Sequence, residues 1–399
     1  MSLGDDLGSL AARLAEPLSA DGRTALATLR EGDAALFDAL LGETVIADGA
    51  PDVRGPLRDA CHRSTTNYDS LYDTYITDRY VYAQPLIEVL AAAPAASRAA
   101  ALRDELTSLR LRYAPPTTSP EHVVDLRPLR AFPRLRSLEV QYPCVGGASC
   151  GSMRALEVLS LTRGFDELTL PPWLKRLELF TPDERDTTVQ LEVARSRSLR
   201  ELTVDAKSAA RLNGVERLSG LRSLTFKLER CEDGDALSTL LSRVSPTLTT
   251  LRLRGVTAQR LLVPARMCAL AELHVVAYDL TLETLPALRS AEIGAWKRIE
   301  LHPQPALREL TVSAGTDLRA LSSCRNVEVL SIEFSARGTP GPFPLAMPAL
   351  RELRFRGGED LAWVPCYPTL EVIRVDAKTR VETLPEALRA KVSGEPQPR

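Results

Sequence analysis

Lysine is nearly missing from this 399-residue chain: six lysines stand against 44 arginines, and none precedes Lys175. The bias reads as the mark of a GC-rich bacterial genome. Histidine is scarce as well, and His62, His122, His274 and His302 show no metal-ligand spacing with one another or with cysteine. No metal and no cofactor is therefore expected. The seven cysteines (Cys61, Cys144, Cys150, Cys231, Cys268, Cys324, Cys366) are odd in number and irregularly spaced, which reads as reduced thiols and not as a disulfide framework. Long hydrophobic runs are absent too. The most apolar stretch, Leu86 to Ala96, is broken by Glu88 and Pro94 and is too short to span a bilayer. Asp5 and Asp6 precede the first basic residue, Arg13, with no signal-peptide run behind them, so a cytoplasmic protein is expected. Neither sign of charge dominates: a net charge of −2 gives no global pull toward nucleic acid or an anionic membrane.

What is abundant is one phrase, Leu-x-x-Leu-x-Leu. Clear copies begin at Leu135, Leu156, Leu174, Leu199, Leu221 and Leu248, and six more begin at Leu270, Leu288, Leu307, Val327, Leu350 and Leu370. From Leu135 to Leu370 eleven steps cover 235 residues, about 21 each, with single steps of 18 to 27. The last two apolar residues of each copy alternate with polar ones, as in a short strand with one buried face, and the first anchors the incoming turn. One repeat cannot bury that face alone. Stacked in parallel, the strands close a continuous core and turn the intervening polar positions outward.

In phrase and period the chain resembles the leucine-rich-repeat family. The fold class expected is an α/β solenoid: a leucine-rich-repeat array with a parallel concave sheet, short extended segments or helices on the convex side, and an N-terminal all-helical capping domain. The family's common pattern places Asn or Cys three residues after the last strand leucine; here those positions hold Pro143, Gly164, Pro182, Lys207, Glu229 and others, so the asparagine ladder is absent. Apolar pairs such as Leu261/Val263, Leu280/Leu282 and Ile299/Leu301 predict extended convex segments, and helices are expected over 209–218 and 235–244.

Residues 1–105 have a different texture. Leu10, Leu14 and Leu18 form one helical stripe, and Leu26, Leu29, Leu36, Phe37, Leu40 and Leu41 another, split by Gly32. Residues 44–55 read as a turn-rich linker, and Asn67 as the start of a long helix toward Leu90 that Pro85 kinks. The first 105 residues carry 9 Arg against 17 Asp and Glu, and residues 106–399 carry 41 basic against 35 acidic residues. The predicted division is a helical cap over 1–105, a solenoid of 12 to 13 repeats over 106–385 beginning with an atypical repeat at Leu106, and a disordered polar tail over 386–399.

Function is read from motifs and from the outward positions. Gly147-Ala148-Ser149-Cys150-Gly151 satisfies G-x-S-x-G, but it lies between two repeat strands instead of at a strand-turn-helix elbow, so no catalytic role is assigned to it. Tyr68, Tyr72 and Tyr75 share one helix face, either as an aromatic anchor for a partner or as packing against the first repeats. The outward strand positions give the main candidates, Arg252, Arg254, His274, Arg354, Arg356 and Arg374, because arginines on adjacent positions of a rigid sheet suit oxyanion recognition. The function expected is that of a non-catalytic, monomeric scaffold binding an acidic protein surface. Nucleic acid is disfavoured because Glu272, Glu292, Glu309 and Glu333 interleave with the arginines and no aromatic stacking row accompanies them. The alternative is an effector or enzyme whose N-terminal domain carries an activity and whose repeats select the target.

Overall fold

The computed structural model describes residues 3–14, 18–61, 84–111, 123–162, 165, 167–180, 190–228, 234–244, 246–255, 258–313, 318–333, 347–356, 364, 367–376 and 381–394. Two compact units are present, Met1–Leu199 with Arg211–Gly214 and Arg200–Ala210 with Val215–Arg399; the division expected at residue 105 falls inside the first.

The first unit opens with α1 (Leu3–Leu14), α2 (Ala20–Arg30) and α3 (Ala34–Leu41). Ser19 and Asp33 cap α2 and α3, their side chains accepting from the backbone N–H of Gly22 and Leu36 at 2.9 and 3.0 Å. Leu10, Leu14, Leu29, Phe37, Leu40 and Leu41 are buried, whereas Leu18 of the predicted stripe is exposed. The segment expected to be a linker is a hairpin: β1 (Val45–Ala47) pairs antiparallel with β2 (Ala50–Asp52). Its two-residue turn puts Asp48 and Gly49 in the left-handed region, with φ of 52° and 77°. The N-terminal segment is thus helical, as expected, with one short hairpin among its helices. After α4 (Pro56–Cys61), α5 (Gln84–Ala92) and α6 (Arg98–Glu105) complete it. Pro85 lies within α5, while the helix start expected at Asn67 lies outside the described residues.

The strands β3 (Ser108–Leu111), β4 (Val124–Asp125), β5 (Ser137–Val140), β6 (Cys144–Val145), β7 (Val158–Leu161), β8 (Arg176–Leu179) and β9 (Leu191–Glu192) follow. β3, β5, β7 and β8 are parallel, with Leu109, Leu138, Leu159 and Leu177 in register and buried. β4 pairs with β6, and β9 with β11 (Leu212–Asn213).

The second unit contains β10 (Glu201–Asp205), α7 (Ala206–Ala210), β12 (Ser223–Leu228), α8 (Gly234–Arg243), β13 (Thr250–Gly255), β14 (Ala258–Val263), β15 (Glu272–Leu282), β16 (Ser290–Leu301), β17 (Glu309–Ser313), β18 (Val329–Glu333), β19 (Glu352–Arg356), β20 (Val372–Val375), α9 (Glu386–Arg389) and β21 (Val392–Gly394). Its main sheet runs in the order β10-β12-β13-β15-β16-β17-β18-β19-β20-β21, and β14 pairs with the second half of β15. β15 and β16 continue from the main sheet into the predicted extended segments, so Leu261, Leu280 and Ile299 align as Cα partners. The helix expected over 209–218 is interrupted: α7 ends at Ala210 and Gly214 has φ 77°, which no helix accommodates.

Without an asparagine ladder, the turns are tied by a backbone device. Within each unit, the carbonyl of the residue after an anchor leucine, or after Val327, accepts the N–H groups of two successive residues in the next repeat. In the first unit Thr107 O takes Arg136 and Ser137, Arg136 O takes Glu157 and Val158, and Glu157 O takes Lys175 and Arg176, at 2.8–3.1 Å. The second unit repeats it from Arg200 O to Arg351 O, which takes Glu371 and Val372 at 2.8 and 3.0 Å. Single side chains then fasten individual turns. Buried Gln304 donates to the carbonyls of Glu283 and His302 and accepts from Leu285 N, and Asn326 donates to Pro305 O.

Both ends of the repeat pattern are closed. Gly49 O accepts from Thr107 N and Ser108 N at 2.9 and 2.8 Å, supplying the rung that a preceding repeat would supply. At the other end, residues 386–394 are not the polar tail expected. Leu384 and Leu388 are buried, β21 pairs with β20, and Lys391 Nζ donates to Leu370 O. Residues 395–399 lie outside the described residues.

Candidate recognition surface

Alternation along each strand decides which side chains leave the core. In the first unit Arg110, Glu139, Ser160 and Glu178 are Cα partners across β3, β5, β7 and β8. They satisfy one another: Arg110 Nε lies 3.8 Å from Glu139 Oε2, Gln141 donates to Glu139 at 2.8 Å and Ser160 Oγ to Glu178 at 3.1 Å.

In the second unit the same row reads Thr225, Arg252, His274, Glu292, Thr311, Ser331, Arg354, Arg374 and Ser393 from β12 to β21. Five of the six candidate cations have described side chains, and each faces a carboxylate. Arg252 Nη2 is 3.3 Å from Glu272 Oε2, and His274 Nδ1 is 2.7 Å from Glu292 Oε2. Arg356 Nη1 is 3.1 Å from Glu333 Oε1. Arg354 and Arg374 both donate through Nε to Glu352 Oε1, each at 2.6 Å. Burial pushes the Glu352 carboxyl up, but the two hydrogen bonds and the two guanidinium charges outweigh it and hold that carboxyl below its ordinary range.

These candidates do not converge on one spot. Arg252 and His274 belong to β13 and β15, while Arg354, Arg356 and Arg374 belong to β19 and β20; β13 and β19 are five strand spacings apart, roughly 24 Å. Arg254 stands on β13 opposite Lys227, and its side chain lies outside the described structure, as do Tyr68, Tyr72 and Tyr75 in residues 62–83. Glu352, which fastens the second group, carries no motif that singles it out in the sequence.

The G-x-S-x-G loop is a short 3-10 turn, Ala148–Ser152. Ser149 Oγ donates to the carbonyls of Leu126 and Gly146 at 3.0 and 2.7 Å, so its proton holds a turn. Cys150 and Cys61 are buried, and burial pushes both thiols up to about 12, leaving them protonated at neutral pH. Among the described residues no group of three or more His, Cys, Asp or Glu side chains is placed to hold a metal ion, and no helix is long and apolar enough to cross a membrane.

One polar cluster was not anticipated. Glu88 is only 6% exposed, within the apolar run Leu86–Leu90 of α5. Gln84 Nε2 donates to its Oε1 at 2.7 Å, and Gln84 Oε1 accepts from Asp125 N at 3.2 Å. Asp125 in turn receives Nε and Nη2 of Arg127 at 2.8–3.1 Å. Burial, joined by the Asp125 charge, pushes the Glu88 carboxyl up to about 7 against the Gln84 hydrogen bond and the charges of Arg30 and Arg127. The cluster fastens α5 to the β4 segment.

The repeat phrase, the parallel register and the carbonyl rungs make this chain an α/β solenoid of parallel strands whose repeats resemble leucine-rich repeats. No family model matches the sequence, and no curated protein matches it either. Solved structures similar to it include an internalin from Listeria monocytogenes, at 13% identity over 68% of this chain and 76% of that one, TM-score 0.37. A leucine-rich-repeat protein of Leptospira interrogans is similar at 13% identity over 63% and 67%, TM-score 0.36. A plant peptide hormone receptor is similar at 12% identity over 68% and 56%, TM-score 0.27.

Proposed function

We propose that the protein is a non-catalytic recognition scaffold, acting as a monomer in the cytoplasm, whose outward, concave sheet face in the second unit binds an acidic surface of a protein partner. The helices before residue 105 act as its cap, a role that the Gly49 rung and the Glu88–Gln84–Asp125 cluster support. The observation that carries the binding reading is the outward row of the second unit. It holds arginines at fixed register on a sheet whose backbone is fastened repeat by repeat, so their positions are set before a partner arrives. The interleaved Glu272, Glu292, Glu309 and Glu333 favour a partner that offers both hydrogen-bonding and acidic groups over a polyphosphate backbone. Buried Cys61, Cys144, Cys150 and Cys324, all free thiols, fit a reducing compartment.

The test is a photo-crosslinking residue placed at Thr225 or Ser331 on the outward face, or at Arg217 or Glu283 in the turns, in the full chain within its source cells. A protein partner captured from the outward positions and not from the turns is expected. Capture from the turns alone would overturn the assignment of the face.

A further inference from the structure

The outward row of the last strands has a composition found nowhere else on the described sheet. Thr311, Ser331, Arg354, Arg374 and Ser393 are Cα partners from β17 to β21, so the row reads hydroxyl, hydroxyl, guanidinium, guanidinium, hydroxyl. No carboxylate stands in it. At about 4.8 Å per strand it is about 19 Å long, the span of a short extended peptide.

Two guanidinium groups on adjacent strands repel each other, and here one oxygen holds both. Arg354 Nε and Arg374 Nε share Glu352 Oε1. Arg252 and Arg356 are arranged differently, each turning an Nη edge to its own carboxylate, on Glu272 and Glu333. In the shared arrangement the Nε atoms do the fastening, and among the described residues the Nη groups of Arg354 and Arg374 have no hydrogen-bond partner. Both arginine side chains are 38% exposed while Glu352 is 18% exposed, so the carboxylate lies beneath and the Nη edges lie outside. Two cations and one anion leave a single positive charge. That matches one carboxylate; a phosphate group, at about −1.5 to −2, would exceed it and confront Glu352.

Resting on the recognition reading above, we propose that Arg354 and Arg374, held together by Glu352, anchor a single Glu or Asp carboxylate in an extended acidic segment of the partner, flanked by the Ser331 and Ser393 hydroxyls. The planar donor edges of the two arginines meet the two carboxylate oxygens with little ordering left to do, because Glu352 has already fixed the pair. The low-lying Glu352 carboxyl stays ionised through the neutral range, so the pair stays assembled there.

The experiment uses the full chain and three short fluorescein-labelled peptides of alternating residues: Glu-Ser, Gln-Ser and Glu-phosphoserine. Binding is read by anisotropy at low salt, with unfolding midpoints confirming that each variant folds. The Glu-Ser peptide is expected to bind, to weaken as salt rises, and to exceed the Gln-Ser peptide. Arg354→Gln and Arg374→Gln are expected to weaken it on the order of tenfold, and Arg252→Gln less than about twofold. Arg354→Lys keeps the charge and loses the planar edge, so it too is expected to weaken binding several-fold. Loss of equal size in Arg252→Gln, full binding by Arg354→Lys, tighter binding of the phosphoserine peptide, or no binding by the wild type would each overturn the anchor. If the arginine variants are indifferent while a crosslinker at Ser331 still captures a partner, the anchor fails and the recognition face stands. If both fail, the reading of the face falls with it.

Discussion

On β19, Leu353 and Phe355 enter the core while Glu352, Arg354 and Arg356 leave it, one residue apart on the same strand. The inward pair meets the same partners on every neighbouring strand: Leu353 is in register with Leu330 and Ile373, and Phe355 with Ile332 and Val375. The outward residues meet something different on each side, since Arg354 has Ser331 on one side and Arg374 on the other. Inward positions are thus redundant and cooperative; outward positions are individual. Stability should follow the first set and recognition the second.

The sharpest way to break that division is to truncate neighbours on one strand. Leu353→Ala removes a fully buried side chain and is expected to cost about 2–5 kcal/mol through the cavity it leaves. Arg354→Ala, next to it, should change stability by less than about 1 kcal/mol. Denaturant unfolding of both variants measures the contrast, and equal losses would erase it.

Glu88 is an exception inside the core, and its sign is informative. An acid raised from 4.5 to about 7 binds more protons folded than unfolded between those values, so stability falls as pH rises through that window and stays lower above it. Glu88→Gln keeps an acceptor for Gln84 and carries no charge. It is expected to stabilise the protein by about 3 kcal/mol at pH 8 and by little at pH 4. A gain that is the same at both values would show that charge burial is not the cause.

Gly49 tests the closing rung. A Cβ there would meet Thr107 Oγ1 at 1.9 Å, at a backbone φ of 77°. Gly49→Ala is expected to cost about 1–3 kcal/mol, with faster amide exchange at Thr107 and Ser108, whose N–H groups bond Gly49 O. Unchanged exchange there would mean that the rung contributes nothing.

The inward set was legible in sequence because a period-2 pattern repeated every 21 residues or so specifies a buried strand wherever it recurs. The hairpin was also encoded: Asp48-Gly49 between Val45-Ile46-Ala47 and Ala50 is a two-residue turn signal, read as a linker because its flanks are only three residues long. Glu88 and Gln84 stand four apart on a helix, a pairing visible in sequence, but whether an acid in an apolar run is buried or points out depends on what packs over it. The outward pairs were the least legible. Glu352 and Arg374 are 22 residues apart and meet only because two repeats are stacked in a given register. Charge composition named the arginines; register decided which carboxylate each one faces.

The smallest expected effect separates the two kinds of outward ion pair. Arg252 and Glu272 are 44% and 57% exposed, a one-to-one pair in water, and Glu272→Gln should change stability by no more than about 0.5 kcal/mol. Glu352 is 18% exposed and serves two arginines, so Glu352→Gln leaves Arg354 and Arg374 side by side without their shared counter-charge and should cost about 1 kcal/mol at pH 7. The direction with pH follows from its depressed carboxyl: the contribution is present above the unfolded carboxyl value and is lost as pH falls through the folded one. Wild type and Glu352→Gln should therefore converge in acid, while Glu272→Gln tracks the wild type throughout. Equal curves for the two variants would mean that sharing one carboxylate between two guanidinium groups adds nothing to pairing them singly.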